Sequence, residues 1–274
     1  MSNNNNCLKR LINDLKYIKK NNLELLKNNI FYKHDENNYM MGYAMLIGNS
    51  DTPYNYGYYF FKFIFSNNYP YEPPIVKFIS NSNVRFHPNL YVNGKICLSI
   101  LNTWKGEGWT SCQSIYSILI IISSILTQNS LTYEPGITIS HYDVEKYNLL
   151  IEYKNIEYSI LHIIDLINNI SDNKNNISDD KNNISDNKNY ISDNTNNICN
   201  NDNNIIIKFK EEIIDNFIKN KSDINKKIKI LSTNIDTSSF INKNTININT
   251  YNLKYNLNID KLYKIFYKIE NKYK

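Results

Sequence analysis

The residue types able to do chemistry collect in one stretch, FHPNLYVNGKICLSI, at positions 86–100. It sets His87, Pro88 and Asn89 ahead of a lone thiol, Cys97, which lies between Ile96 and Leu98. Pro fixes its own φ and Asn bonds readily to nearby backbone, so His87-Pro88-Asn89 reads as a turn. Asn93-Gly94 is a second turn signal shortly after it. The chain therefore folds back twice and delivers Ile96-Cys97-Leu98 against the first turn. Three readings of Cys97 follow. A Cys between two aliphatics is most often a small buried hydrophobe, and on the local pattern this reading leads. A thiol can instead hold an acyl group covalently, and an Asn amide beside it can stabilise the oxyanion at the acyl carbon; together they suggest acyl transfer through a thioester. A metal site is poorly supported. Cys7, Cys97, Cys112 and Cys199 form no CxxC pair, and His87 is the only histidine near Cys97. No metal and no cofactor are expected. A cysteine-protease pairing with His87 as base lacks a carboxylate to orient the ring.

The elements that must position this stretch lie on both sides of it. Leu8, Leu11, Ile12, Leu15 and Ile18 share one face of a helix, with Lys9, Arg10, Lys16, Lys19 and Lys20 on the other. An ordinary amphipathic helix with a wet basic side explains these lysines without a partner. Four strand-like runs follow: NIFYKHD, NYMMGYAMLIG, the aromatic GYYFFKFIFS and the short IVKFIS. Polar or Pro-bearing turns divide them, as in an antiparallel meander. Pro73 and Pro74 cannot donate to a ladder, so NNYPYEPP lies outside the sheet. The irregular stretch 81–112 is long for a compact domain, and such connections are usually functional. Ile115, Ile118, Leu119, Ile122, Ile125 and Leu126 then restore helical spacing, and a further helical pattern runs from His141 to Ile167.

At Ile170 the character changes to four copies of a seven-residue unit, ISDNKNN and its variants. One apolar position in seven is too few for a coiled coil, which needs two, so disorder is expected. From Ile205 amphipathic patterning resumes. The domain reading is a disordered tail over 1–7, a folded domain over 8–168 that carries Cys97, a low-complexity Asn-rich repeat over 169–204 and a helical extension over 205–274.

The chain has 274 residues, 42% of them apolar, and a formal charge of +5. The excess is C-terminal, with 14 Lys against 7 Asp or Glu over 205–274. Those lysines are interspersed with apolar and acidic residues, which fits a solvated helical surface better than a nucleic-acid groove. The start, MSNNNNCLKRL, has no apolar signal core. The most apolar run, IYSILIIISSIL, is 12 residues long, too short to span a bilayer. The expectation is a cytoplasmic or nuclear protein with reduced thiols and no membrane or nucleic-acid partner.

Taken over its whole length, the run GNSDTPYNYGYYFFKFIFSNNYPYEPPIVKFIS…VRFHPNLYVNGKICLSIL…W resembles the ubiquitin-conjugating (E2) enzymes. Their T-P-Y, Y-P-F-x-P-P and H-P-N-[IV]-Y-x-x-G-x-I-C-L elements stand in the same order and at the same spacing. The resemblance covers about residues 8 to 165. Within the family the chain looks most like the Z type. Ser99 in place of the more usual Asp, the insertion before Trp109, Glu134-Pro135-Gly136 and the long C-terminal extension carry that narrower likeness.

The resemblance implies an α+β fold of the UBC type: a four-stranded antiparallel meander flanked by helices, with a C-terminal helical extension. It implies an acyl transferase in which Cys97 accepts ubiquitin, or a ubiquitin-like modifier, from an activating enzyme as a thioester. The modifier then passes to a substrate lysine or a ubiquitin ligase. Asn89 matches the residue credited with oxyanion stabilisation and with holding the active-site loop. His87 and Pro88 match structural residues of the turn. Tyr133 and Glu134 fall near the gate for the incoming lysine. Lys9, Arg10 and Lys16 match the surface that meets the activating enzyme. Tyr71 and the stretch WTSC from Trp109 match the two loops that meet ligases, although both depart from the usual Phe and Ser-Pro-Ala. A catalytically silent ubiquitin-binding adaptor of the same fold is the alternative; such relatives lack the cysteine.

Overall fold

The computed structural model describes residues 2–80, 82–179 and 204–273. Its centre is a four-stranded antiparallel sheet in the order β1-β2-β3-β4, formed by Ile30–His34, Met41–Ile47, Tyr58–Ile64 and Ile75–Ile79. The meander follows from the short turns between runs. Its register pairs Ala44 with Phe61 and Phe61 with Phe78. Helix α1 (Ser2–Lys20) and α2 (Asn22–Lys27) precede the sheet. Helix α3 (Ile115–Ile125) starts at a reciprocal cap between Ser114 and Ser117 and buries Ile115, Ile118, Leu119, Ile122 and Ile125.

Three expectations need correction. Of the tail expected over 1–7, residues 2–7 are the first part of α1, and residue 1 lies outside the described residues. Cys7 is buried there and its thiol donates to the Ser66 carbonyl at 3.3 Å, so a small sulfur side chain seals the helix onto the loop after β3. The apolar face of α1 is also narrower than the spacing implied. Leu11 and Ile18 are buried, whereas Leu8 and Ile12 are exposed at 40% and 45%. The third correction is at residue 168, where the chain does not leave the fold. Helix α4 (Asp143–Lys154), a π-helical segment (Asn155–His162) and α5 (Ile163–Asp179) run on without a break. Ser171 and Asp172, inside the first repeat, receive Lys210 and Lys272. These tertiary partners supply what one Ile in seven cannot. The repeat from 180 to 203 lies outside the described residues.

Asn155, at the start of the π-helical segment, ties it to the sheet. Its side chain accepts from the Tyr59 hydroxyl at 2.6 Å and donates to the Asn55 carbonyl at 2.9 Å. A Cβ on Gly57 would sit 1.7 Å from the Asn155 amide oxygen, so that approach requires glycine.

The extension is not all helical. A helical turn at 204–208 leads into α6 (Lys210–Thr237), then a β5–β6 hairpin (Thr245–Ile248 and Leu253–Asn256), then α7 (Ile259–Lys272). It packs on the sheet. Phe209 lies 6.3 Å from Phe60, and the Tyr58 hydroxyl donates to the Ile213 carbonyl at 3.1 Å. Tyr58, Tyr59, Phe60 and Phe61 are therefore all buried, and β3 reads as a continuous apolar run because both its faces are covered. Among the described residues no helix is long and apolar enough to cross a membrane.

Candidate active site

Residues 82–112 form the site, and the only regular helix in them is a 3-10 turn, Ser99–Leu101. Backbone bonds shape the rest. The Leu90 N–H donates to the His87 carbonyl at 2.9 Å, closing the first turn, and the Gly94 N–H donates to the Tyr91 carbonyl at 2.9 Å, closing the second. Gly94, at φ 85°, provides the left-handed step. Cys97 is thus returned beside Asn89, as the two turn signals imply.

Asn89 grips Cys97 from both sides. Its carbonyl accepts the Cys97 N–H at 2.9 Å, and its Nδ2 donates to the Cys97 carbonyl at 2.5 Å. Ile96 and Leu98 join the continuous hydrophobic core. Cys97 is itself buried, 4% exposed. Its backbone is held at a fixed place beside Asn89.

His87 is fully buried. Its Nδ1 accepts the Asn89 N–H at 2.9 Å, which places the ring proton on Nε2. Burial pushes its pKa down to about 3; the nearby Arg85 charge adds to this, and the Ile125 backbone opposes it. A neutral ring whose one lone pair is already engaged is no base, so the structure supports a turn element. Tyr133 stacks edge-on against it at 4.8 Å and is 41% exposed.

Glu134 is placed differently from a simple lysine gate. Its Oε2 accepts from the Tyr251 hydroxyl at 2.7 Å and lies 3.5 Å from the Arg85 guanidinium. That oxygen is committed, and the Glu134 side chain is only partly exposed, whereas Tyr133 is open to solvent.

Two surface residues are also reassigned. Trp109 is 9% exposed, packs on Tyr69 and donates its indole N–H to the Pro70 carbonyl at 2.7 Å. It ties together the two loops expected to meet ligases and cannot offer its ring to one. Tyr71, 75% exposed, can. Arg10 is likewise committed: it donates to Asp14 at 2.8 Å, to the Ser111 carbonyl at 2.6 Å and to the Gln113 carbonyl. Lys9 and Lys16 remain exposed beside Leu8 and Ile12.

Sequence reasoning missed Arg85 and Tyr251. The signal for Arg85 was present: the chain has only two arginines, Arg10 and Arg85. In a lysine-rich sequence each sits where a planar fork grips loop carbonyls, a task lysine does poorly. Nothing in the pattern near Tyr251 pointed to the site.

Comparison with known proteins bears on the family. The family model described as ubiquitin-conjugating enzyme matches residues 10–149. The Ubiquitin-conjugating enzyme E2 Z of Xenopus tropicalis is 40% identical over 127 residues, which cover 45% of this chain and 41% of that protein. The Homo sapiens protein of the same name is 43% identical over 122 residues, covering 43% and 34%. The chain thus spans less than half the length of these relatives. The structure of human Ubiquitin-conjugating enzyme E2 G1 is 30% identical, covers 42% of this chain and 90% of that one, and has a TM-score of 0.37. With its Cys97 loop and meander sheet inside the matched segment, this chain belongs to the ubiquitin-conjugating enzyme family, and its likeness there is to the Z type.

Proposed function

We propose that Cys97 accepts the C-terminal carboxyl of ubiquitin or a ubiquitin-like modifier from an activating enzyme and passes it to a substrate lysine or a ligase. The thiolate of Cys97 attacks the carbonyl carbon of the incoming thioester. A tetrahedral oxyanion forms and collapses, expelling the donor's thiolate. One thioester is made as one is broken, so the exchange is close to isoenergetic. The protein's task is then placement and charge stabilisation, not driving force. In the second step an amine attacks the same carbon and Cys97 leaves as thiolate.

The observation that carries this reading is the double grip of Asn89 on Cys97, which fixes the backbone that carries the sulfur. Lys9 and Lys16, with exposed Leu8 and Ile12, support α1 as the surface that meets the activating enzyme. Exposed Tyr71 supports the adjoining loop as the ligase contact. Exposed Tyr133 and the partly exposed Glu134 carboxylate support this edge as the gate for the incoming lysine. A nucleophilic thiol needs a reducing compartment, which favours action in the cytoplasm or nucleus.

Incubation with activating enzyme, ATP and modifier tests the reading. We expect a reductant-sensitive band shift that Cys97→Ala abolishes. A shift that survives Cys97→Ala sinks the assignment, and binding of modifier with no adduct on any cysteine favours the silent adaptor.

A further inference from the structure

The tip of the β5–β6 hairpin, a 3-10 turn at Asn249–Tyr251, reaches across to the active-site turn. Two anchors seat it. The Thr250 N–H and hydroxyl both donate to Asp143 Oδ2, at 2.7 and 2.8 Å, and Asp143 is fully buried at the start of α4. The Tyr251 ring packs edge-on against Tyr147 at 5.9 Å. Tyr147 in turn donates its hydroxyl to the Arg85 carbonyl at 2.6 Å.

Arg85 is the point where these contacts meet. Its guanidinium lies between two rings, 4.1 Å from the centre of Tyr91 and 4.9 Å from that of Tyr251. Its Nε donates to the Pro88 carbonyl at 3.2 Å, with NH2 donating to the same oxygen. Glu134 Oε2 balances the guanidinium at 3.5 Å and is itself fixed by the Tyr251 hydroxyl at 2.7 Å. The Pro88 carbonyl belongs to the peptide bond leading into Asn89, and Asn89 holds Cys97. A line of contacts therefore runs from Tyr251 through Glu134 and Arg85 to Pro88, Asn89 and Cys97. Two aromatic rings, a carboxylate and the Pro88 carbonyl together restrict the guanidinium.

We propose that Tyr251 is a positioning residue for the Cys97 site, supplied by the C-terminal extension and acting through Glu134 and Arg85 on the His87-Pro88-Asn89 turn. The inference rests on Cys97 being the thioester acceptor. It gives the extension a part in transfer beyond its packing on the sheet, and it makes the site incomplete without the hairpin tip.

The test uses the full chain, pre-charged with ubiquitin or whichever ubiquitin-like modifier charges the wild type. Discharge to free lysine is followed in single turnover across lysine concentrations, with rates taken per charged molecule. Tyr251→Phe keeps the ring and removes only the hydroxyl. We expect its maximal discharge rate to fall between about 3- and 30-fold, as for a slightly displaced reacting group, with half-saturating lysine unchanged. Arg85→Lys keeps the charge, loses the fork and should fall in the same way. Glu134→Gln combined with Tyr251→Phe should be no slower than the slower single variant within about twofold, because the groups act as one unit. A mere packing role lowers thermal stability and leaves the rate per charged molecule alone. An unchanged rate in Tyr251→Phe, a change confined to half-saturating lysine, or losses that multiply in the double variant each overturn the proposal while wild-type charging stands. A wild type that does not charge overturns the thioester reading itself.

Discussion

Asn89→Ala separates two things the residue is able to do. The structure uses its Nδ2 to hold the Cys97 carbonyl at 2.5 Å, while its Oδ1 is buried without a partner. Truncation loses a hydrogen bond worth about 0.5–1.5 kcal/mol and leaves the Cys97 carbonyl short of a donor, a further cost of about 1–3 kcal/mol. It also removes the unpartnered Oδ1, which returns a cost of similar size. The net loss is about 0.5–1.5 kcal/mol, a factor of about 2–13 in an equilibrium. For a chain of this size that lowers Tm by roughly 1–6 °C, at about 2–4 °C per kcal/mol. Loosening the loop should cost discharge a similar factor. An oxyanion donor lost outright would cost more, about 100- to 1000-fold. Asn89→Asp sharpens the comparison, because it sets a carboxylate oxygen against the Cys97 carbonyl and should lower Tm further than Asn89→Ala. The assay pairs thermal melts with single-turnover discharge of charged protein. A Tm unchanged in Asn89→Ala together with a discharge loss above about 100-fold refutes the loop-holding account.

Other outcomes follow from single contacts. His87 has its pKa lowered from 6.5 to about 3 by burial, so the unfolded chain binds a proton that the folded chain refuses between those values. Stability from this residue is complete above pH 6.5 and falls as pH drops below it, by about 1.4 kcal/mol per unit at most. Denaturant melts should show that slope, and His87→Gln should remove it. Trp109→Phe loses the indole bond to Pro70 and should cost about 1 kcal/mol in melts, with charging retained. Arg10→Ala frees Ser111 and Gln113 and should speed amide exchange over 110–113, whereas unchanged exchange there would contradict its role as a tie. Lys9→Glu with Lys16→Glu should slow charging at low salt, and the difference should shrink as salt rises.

Much of the site was legible because its geometry is made locally. Pro88 and Asn89 form one turn and Asn93-Gly94 another, so the return of Cys97 to Asn89 follows from residues close in sequence. The meander was legible for the same reason. Local chemistry left open whether Cys97 packs or reacts; the family pattern around it carries the proposal that it reacts. What escaped involves distant partners. Trp109 looked like a surface ring until Pro70 and Tyr69 covered it. Arg10 looked like one charge in a basic face until its fork met two loop carbonyls. Glu134 looked free because Tyr251, 117 residues away, could not be placed beside it. The continuous run Tyr58-Tyr59-Phe60-Phe61 did hold a clue. A one-faced strand alternates, and this one does not, which implies a second layer on the sheet. The extension is that layer. The lost boundary at 168 has a similar cause: α5 continues into a repeat whose composition suggests disorder because Lys210 and Lys272 supply partners from far along the chain.

The most direct test maps the adduct on a Cys97→Ser protein. Serine keeps the nucleophile's position but forms an oxygen ester, which thiol reductants do not cleave. After incubation with activating enzyme, ATP and modifier, peptide mass spectrometry should find the modifier's C-terminal carboxyl on residue 97 alone, as an adduct resistant to reductant and labile to hydroxide. An adduct on Cys7, Cys112 or Cys199, or a reductant-sensitive adduct persisting in Cys97→Ser, contradicts the account.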